Sequence, residues 1–126
     1  MSRTALRLFA LAACSALSLS ARGAAPKKTP ALLENGRARF AVSCAPCHGR
    51  TGAGDGELAA NLAIKPRDFT KEKFKHGAKV TNVFDVLAKG LEGTPMVAFG
   101  HLSEEERWAL SWWVLELKEG RGGAGR

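Results

Sequence analysis

The chain has 126 residues, 45% of them hydrophobic and 25% charged, which is enough for one domain with a modest core. Its 19 Lys and Arg residues against 12 Asp and Glu residues give a net charge of +7, which falls to +4 if Arg3, Arg7 and Arg22 belong to a removed leader. This balance comes without a nucleic-acid reading motif, so it argues against a nucleic-acid-binding protein.

The first 25 residues have the layout of a secretory signal peptide. Arg3 and Arg7 precede an apolar run over residues 8–19, and small residues follow as far as Ala25. The run is too short to span a bilayer comfortably. We therefore expect cleavage near Ala21 or Ala25 and export of the mature chain to the periplasm.

Cys14 leaves an alternative open within this leader. Leu11-Ala12-Ala13-Cys14 resembles the lipobox of bacterial lipoproteins, in which the cysteine is acylated. Only about six apolar residues lie between Arg7 and Cys14, which is short for the apolar part of a signal, and Cys14 then has the simpler role of a small residue in the signal core. The chain is expected to meet a membrane only if Cys14 is lipidated.

A linker and a first helix are predicted next. Residues 26–30 are rich in Pro and Lys, as linkers are. A helix is predicted over residues 31–43, because one buried stripe recurs at four-residue steps, formed by Leu32, Gly36, Phe40 and Cys44. Glycine weakens a helix by roughly 1 kcal/mol relative to alanine, so Gly36 indicates either the close approach of another backbone or ring, or a tolerated glycine.

The stretch Cys44-Ala45-Pro46-Cys47-His48 carries the most specific chemistry of the chain. Two thiols three residues apart followed by histidine form the attachment signature for c-type haem. Each thiol adds to one vinyl group, and His48 is carried to the iron. A thioredoxin-like pair lacks its strand and helix pattern here, and a zinc site lacks a second ligand pair, since His76 and His101 stand alone.

A loop, a basic segment and a short helix follow the motif. Residues 49–69 are predicted to be mostly loop, because four glycines and Pro66 interrupt any period, and they match no phosphate-binding pattern. Six basic residues and two acidic ones lie between Lys65 and Lys79, a net charge of +4. A short helix is predicted over residues 81–89, ending at Gly90.

The last helix is predicted from its capping box. Ser103 and Glu106 form the box, and acidic side chains occupy the first turn, where the helix dipole favours them. Only Ser111 and Glu116 are polar from Trp108 to Leu117, so this helix must be covered on more than one side, with the first helix and haem as candidate partners. An exposed docking face at Trp112 is the alternative. The domain is predicted to span residues 31–119, with a flexible tail over 120–126.

Met96 is the sulfur ligand that remains in the mature chain, because Met1 lies in the leader. A thioether opposite histidine favours ferrous iron and raises the haem potential. Thr94-Pro95 stiffens the backbone just before the sulfur. The alternatives are a gap-filling core methionine, and His76 or His101 as the second ligand.

These residues together resemble the class I cytochromes c, most closely the bacterial single-haem branch. The resemblance covers nearly the whole mature chain and rests on these stretches: Gly36-x-x-x-Phe40, Cys44-x-x-Cys47-His48, Gly54-x-Gly56, Lys65-Pro66-Arg67-Asp68-Phe69-Thr70, Gly93-Thr94-Pro95-Met96 and Ser103-Glu104-Glu105-Glu106-Arg107-Trp108.

The resemblance implies an all-α fold, a small helical shell around one covalent haem c. It implies that Gly36 and Phe40 cross the last helix at Trp113 and Leu117. It also implies that a proline carbonyl receives the ring N–H of His48, with Pro66 the nearest candidate, and that Arg67 lies near a haem propionate. Similar chains often read Pro-Lys-Pro where this one has Ile64-Lys65-Pro66.

Electron transfer without catalysis is the function this pattern predicts. With His48 and Met96 both on the iron, no open position remains for a substrate, so the chain is expected to be a monomeric carrier between redox proteins. The Lys65–Lys79 segment is the predicted docking surface for an acidic partner. Two rival functions are a haem subunit of a larger respiratory oxidoreductase, and a redox or gas sensor in which Met96 is labile.

Overall fold

The computed structural model describes residues 24–122, which fold as an all-α protein; no strand occurs among them. Four helices follow in chain order, α1 (Pro30–Ser43), α2 (Ala45–His48), α3 (Val80–Lys89) and α4 (Glu104–Lys118), with one turn of 3₁₀-helix at Ala59–Asn61. In the part of the chain described, no helix combines the length and apolar character that crossing a membrane requires. The predicted leader and Cys14 lie outside the described residues.

The helices begin where local sequence signals place them. Thr29 caps α1 by accepting a hydrogen bond from the Leu32 backbone N–H at 3.1 Å, and Pro30 occupies the first turn, where its missing N–H costs nothing. Both halves of the Ser103 and Glu106 capping box are formed at the start of α4. The predicted helices over 31–43 and 81–89 are therefore confirmed to within one residue at each end.

Helix α1 crosses α4 at Gly36, as the resemblance implies. A Cβ atom on Gly36 would lie 2.9 Å from the Trp113 Cβ and still closer to the Ala109 carbonyl. Gly36 therefore meets Trp113 as expected, and the structure adds the Ala109 carbonyl one turn earlier in α4. The glycine allows the two backbones to approach, which explains its place on the buried stripe.

Helix α4 is covered on several sides, as its apolar sequence requires. Helix α1 packs on one side, and Phe84 of α3 stacks on Trp108 with ring centroids 3.9 Å apart. A third cover is the segment before α1, where Pro26 accepts the indole N–H of Trp112 at 3.0 Å. The segment predicted as a linker is thus seated on α4 at this point, and Trp112 remains half-buried.

Candidate functional site

The two cysteines and His48 leave the backbone within a single helical turn. Cys44 ends α1, donating its N–H to the Phe40 carbonyl at 2.9 Å, and also precedes α2, accepting from the backbone N–H of His48 at 2.8 Å. Both cysteines are free thiols; Cys44 is buried and Cys47 half-buried. Burial is the main reason that the pKa of the Cys44 thiol is raised to about 12. Two sulfurs and an imidazole are therefore presented together on one short, well-ordered turn.

The imidazole of His48 is held by a carbonyl from the next loop. Its Nδ1 lies 3.4 Å from the Arg67 backbone oxygen. Because a carbonyl can only accept, this contact assigns the ring proton to Nδ1 and leaves the lone pair on Nε2. Burial lowers the pKa of His48, and the Arg67 carbonyl opposes that shift. A lowered pKa favours the neutral ring, which is the form in which imidazole binds a metal.

The carbonyl that contacts His48 belongs to Arg67, not to Pro66 as expected. The Pro66 carbonyl faces Gly54, whose φ of 75° and missing side chain let it approach; a Cβ there would lie 2.6 Å from that oxygen. The next carbonyl along the chain, that of Arg67, is the one that lies beside His48. The path of the loop over Gly54 therefore determines which carbonyl accepts the hydrogen bond of His48.

Phe69 is a neighbour of His48 that the sequence interpretation did not single out as a site residue. Its ring stacks on the imidazole with centroids 4.5 Å apart and planes inclined by 19°. The only available signal was its place two residues after Arg67 in the loop shared with related chains. That spacing does not show which face of which ring Phe69 covers.

Met96 lies half-buried against the same core to which Cys44 belongs. Its loop is closed locally, because the Met96 backbone N–H donates to the Thr94 hydroxyl at 3.1 Å and its carbonyl accepts from the Leu91 N–H at 3.0 Å. Gly90, with φ of 71°, lets this loop fold back closely. The two competing ligands, His76 and His101, are both exposed.

The residues present fit a haem group. In residues 24–122 no cluster of three or more His, Cys, Asp or Glu side chains is arranged to hold a metal ion. An imidazole and a thioether are the iron ligands of cytochromes c, and two cysteines before the histidine are the attachment points of c-type haem. Several apolar side chains around the core are only partly covered by protein, as an adjoining apolar ring would require; they are Phe69, Phe74, Val80, Met96, Phe99, Leu102 and Trp112.

Arg67 also organises the basic segment, residues 65–79. Its Nη1 bonds the Glu72 carboxylate at 3.0 Å and the Lys73 carbonyl at 2.7 Å, while its backbone holds His48. Lys73, Lys75 and Lys79 are exposed and make no ion pair within the described part of the chain. The segment therefore presents cationic side chains next to the loop that contacts the imidazole.

Comparisons with known proteins agree with this geometry. The model of the cytochrome c family matches residues 33–118. A solved chain from the Kuenenia stuttgartiensis reducing HAO-like protein complex superposes with a TM-score of 0.71 and 38% sequence identity. The match covers 75% of the present chain but 47% of that chain, so this chain spans about half the length of its structural relative. No curated protein sequence shows significant similarity.

Proposed function

Because the chain belongs to the cytochrome c family, which implies haem-based electron transfer, we propose that it is an exported single-haem electron carrier. The observation that carries this proposal is the turn at Cys44, Cys47 and His48. It presents two cysteine thiols beside an imidazole whose Nδ1 lies 3.4 Å from the Arg67 carbonyl oxygen and donates to it. That bond orients Nε2 for iron and increases its basicity.

Each site residue has a distinct part in this proposal. When bound, the haem supplies an iron centre that gains and loses one electron. Cys44 and Cys47 would hold it through thioether bonds, and its iron would be bound by His48 through Nε2 and by Met96 through its sulfur. The neutral, soft thioether would favour ferrous iron and raise the potential. With both of these ligands supplied by the protein, the site would be suited to electron transfer and not to substrate chemistry.

The periplasm is the proposed location. Residues 1–25 have the composition of a secretory leader, and c-type haem is normally attached outside the cytoplasm. The proposed partner is a redox protein with an acidic docking surface, because Lys73, Lys75 and Lys79 are exposed beside the loop that contacts His48. Such complementary charge mainly accelerates encounter.

A second candidate function is a haem subunit within a larger oxidoreductase. The similar solved chain comes from a protein complex and is about twice as long as the matched region, since only 47% of it is covered. Size measurement of the protein in native extract separates the two functions. A free carrier elutes as a monomer of roughly 10–13 kDa, given 13.4 kDa for the whole chain, whereas a subunit elutes with its partners.

The ligand assignment is tested with Met96→Ala and Met96→His in the haem-loaded protein. Both variants are expected to lower the reduction potential by roughly 100 mV or more, since axial ligands set haem potentials over about 0.8 V. Met96→His should remain low-spin, and Met96→Ala should bind cyanide or carbon monoxide that the wild type excludes on a short timescale. Val97→Ala, at an exposed neighbour, serves as the control.

Three outcomes would contradict parts of the proposal. Haem that leaves the wild-type protein in acidic organic solvent would remove the covalent attachment. An unchanged potential and spectrum in both Met96 variants would reduce Met96 to a packing residue. Rapid binding of carbon monoxide by the wild type would favour a sensor with a labile methionine over a carrier.

A further inference from the structure

The imidazole of His48 is restrained on two sides by the same loop. The Arg67 carbonyl lies 3.4 Å from Nδ1, and the Phe69 ring covers one face at a centroid distance of 4.5 Å with planes 19° apart. The first contact restrains the direction in which Nδ1 points. The second restrains the plane of the ring, which a single hydrogen bond leaves free to rock about the N–H direction.

Phe69 is itself held firmly. Its backbone N–H donates to the Gly52 carbonyl at 2.7 Å. Gly52 has φ of 77°, and a Cβ there would lie 2.9 Å from Phe69 Cδ2 and 3.1 Å from the Leu117 side chain. The phenyl ring therefore sits against the backbone of Gly52, which also lies close to the Leu117 side chain of α4, and this packing restrains the ring.

Two further rings complete the support. Phe40 of α1 meets Phe69 edge-on at 6.5 Å, and Phe74 meets it edge-on at 5.5 Å. Edge-to-face contacts at these distances are favourable aromatic geometry. The orientation of the phenyl ring is thus set by α1, by Gly52 and by the basic segment together.

The torsion that turns an imidazole about its Cβ–Cγ bond is broad, so contacts determine the ring plane. We propose that Phe69 is a positioning residue for His48: its stacked ring fixes the plane of the imidazole with which His48 would meet the iron. This inference rests on the proposed function, because the plane of the His48 ring matters for the iron only if His48 binds a haem. It assigns Phe69 a role beyond filling space in the core.

The experiment compares leucine substitutions at two phenylalanines in the haem-loaded protein. Phe69→Leu keeps an apolar side chain but removes the flat face over His48, and Phe74→Leu makes the same change in a half-buried ring that touches Phe69 and not His48. Phe69→Tyr retains the flat face and tests rescue. The readouts are the low-spin ferric electron paramagnetic resonance spectrum and the exchange of the His48 Nδ1 proton with solvent.

Phe69→Leu is expected to shift or broaden the ferric g values and to speed exchange of the Nδ1 proton roughly two- to tenfold, the factor by which one aromatic contact favours an orientation. Phe69→Tyr should match the wild type in both measurements. Phe74→Leu removes one of the rings that support Phe69 but leaves the stacked face over His48, so it should change both measurements less than Phe69→Leu does. Loss of stability alone would affect the two leucine variants alike, and so would not reproduce this pattern.

Equal spectra and equal exchange in Phe69→Leu and Phe74→Leu would overturn the positioning role while leaving the electron carrier intact. Failure of Phe69→Tyr to restore the wild-type spectrum would also overturn it, because that variant keeps the stacked face. A wild-type protein without covalent, low-spin haem would instead refute the proposed function, and this inference with it. If Phe69→Leu does not mature, the comparison is made with Phe69→Met against Phe74→Met.

Discussion

At the scale of single residues, Glu116 shows how a charge is kept inside this fold. Its side chain is 9% exposed and accepts from Lys28 Nζ at 2.6 Å and from Arg121 Nη2 and Nε at 2.8 and 2.9 Å. The hydrogen bond from Arg121 is the main reason that the pKa of Glu116 is lowered, with Lys28 adding to it and desolvation opposing it. The segment before α1 is thereby attached to α4 through Lys28, and the segment after α4 is attached to it through Arg121.

The lowered pKa of Glu116 predicts a pH-dependent contribution to stability. The carboxylate stabilises the fold above its ordinary pKa of 4.5, and this stabilisation is lost as the pH falls through the lower, folded value. We expect Glu116→Gln to reduce the free energy of unfolding by about 1 kcal/mol at pH 7, a modest figure because both cations are partly exposed.

Denaturant unfolding at several pH values measures this difference. It should be constant near neutral pH and shrink below pH 4.5, where the wild type also loses its charge. Glu119→Gln is a useful control, since Glu119 is exposed and also forms an ion pair with Arg121. A difference between wild type and Glu116→Gln that grows on acidification would contradict the ion-pair account.

At the scale of helices, the crossing of α1 and α4 depends on Gly36. Alanine there would strengthen α1 by roughly 1 kcal/mol if α1 stood alone. In the folded protein the new Cβ would meet the Ala109 carbonyl and lie 2.9 Å from the Trp113 Cβ. These are backbone and first side-chain atoms, which cannot rotate away, so the helices must separate.

Gly36→Ala is therefore expected to destabilise the protein by about 1–3 kcal/mol, the usual cost of overpacking a core. The midpoint of denaturant unfolding measures this. Gly100→Ala is the matched control, because a Cβ there would meet only the Ala88 carbonyl at 3.4 Å, and its stability should change by less than about 0.5 kcal/mol. A Gly36→Ala protein as stable as wild type would mean that the helix contact is looser than described.

At the scale of the whole molecule, charge is distributed unevenly. The segment 65–79 carries a net charge of +4, whereas acidic residues gather at Glu104, Glu105 and Glu106. Two cationic side chains of the segment bind other groups of the protein: Arg67 pairs with Glu72, and Lys65 donates hydrogen bonds to the Ala59 and Ala60 carbonyls. Lys71 pairs with Asp68 at 3.9 Å but remains 84% exposed, and Lys73, Lys75 and Lys79 are also exposed. Lys71, Lys73 and Lys75 follow Phe69 most closely in the sequence, so we expect these three lysines to attract a partner most strongly.

Reversing Lys71, Lys73 and Lys75 to glutamate should slow bimolecular electron transfer with an acidic partner by about tenfold or more at low ionic strength. The reduction potential should stay nearly unchanged. The effect should fade as salt shortens the Debye length to about 10 Å at 0.1 M. Stopped-flow rates against ionic strength provide the measurement.

Reversal of Lys27, Arg37 and Lys89 changes the net charge equally at other exposed positions and is the control. It should slow the reaction much less than reversal within the segment. A wild-type rate that is flat or rises with salt would remove electrostatic docking and leave an apolar contact as the alternative.

The sequence by itself determined the features that depend on neighbouring residues. The haem-attachment spacing, the capping box at Ser103 and the helix stop at Gly90 act over three or four positions, so their geometry follows from neighbouring residues. The buried stripe predicted either a close approach or a tolerated glycine at Gly36, and the resemblance implied the all-α fold and the contact of Gly36 with Trp113. The contact of Gly36 with the Ala109 carbonyl was not predicted.

Only the tertiary structure decided which distant groups meet at the site and on α4. The Arg67 carbonyl replaces that of Pro66 beside His48, Phe69 covers the imidazole, and Pro26 caps the indole of Trp112 from 86 positions away. Each contact depends on the path of a loop over the packed helices, and a different path would bring other atoms to the same place. The residues of a loop do not by themselves specify that path, so these contacts could be identified only in the packed structure.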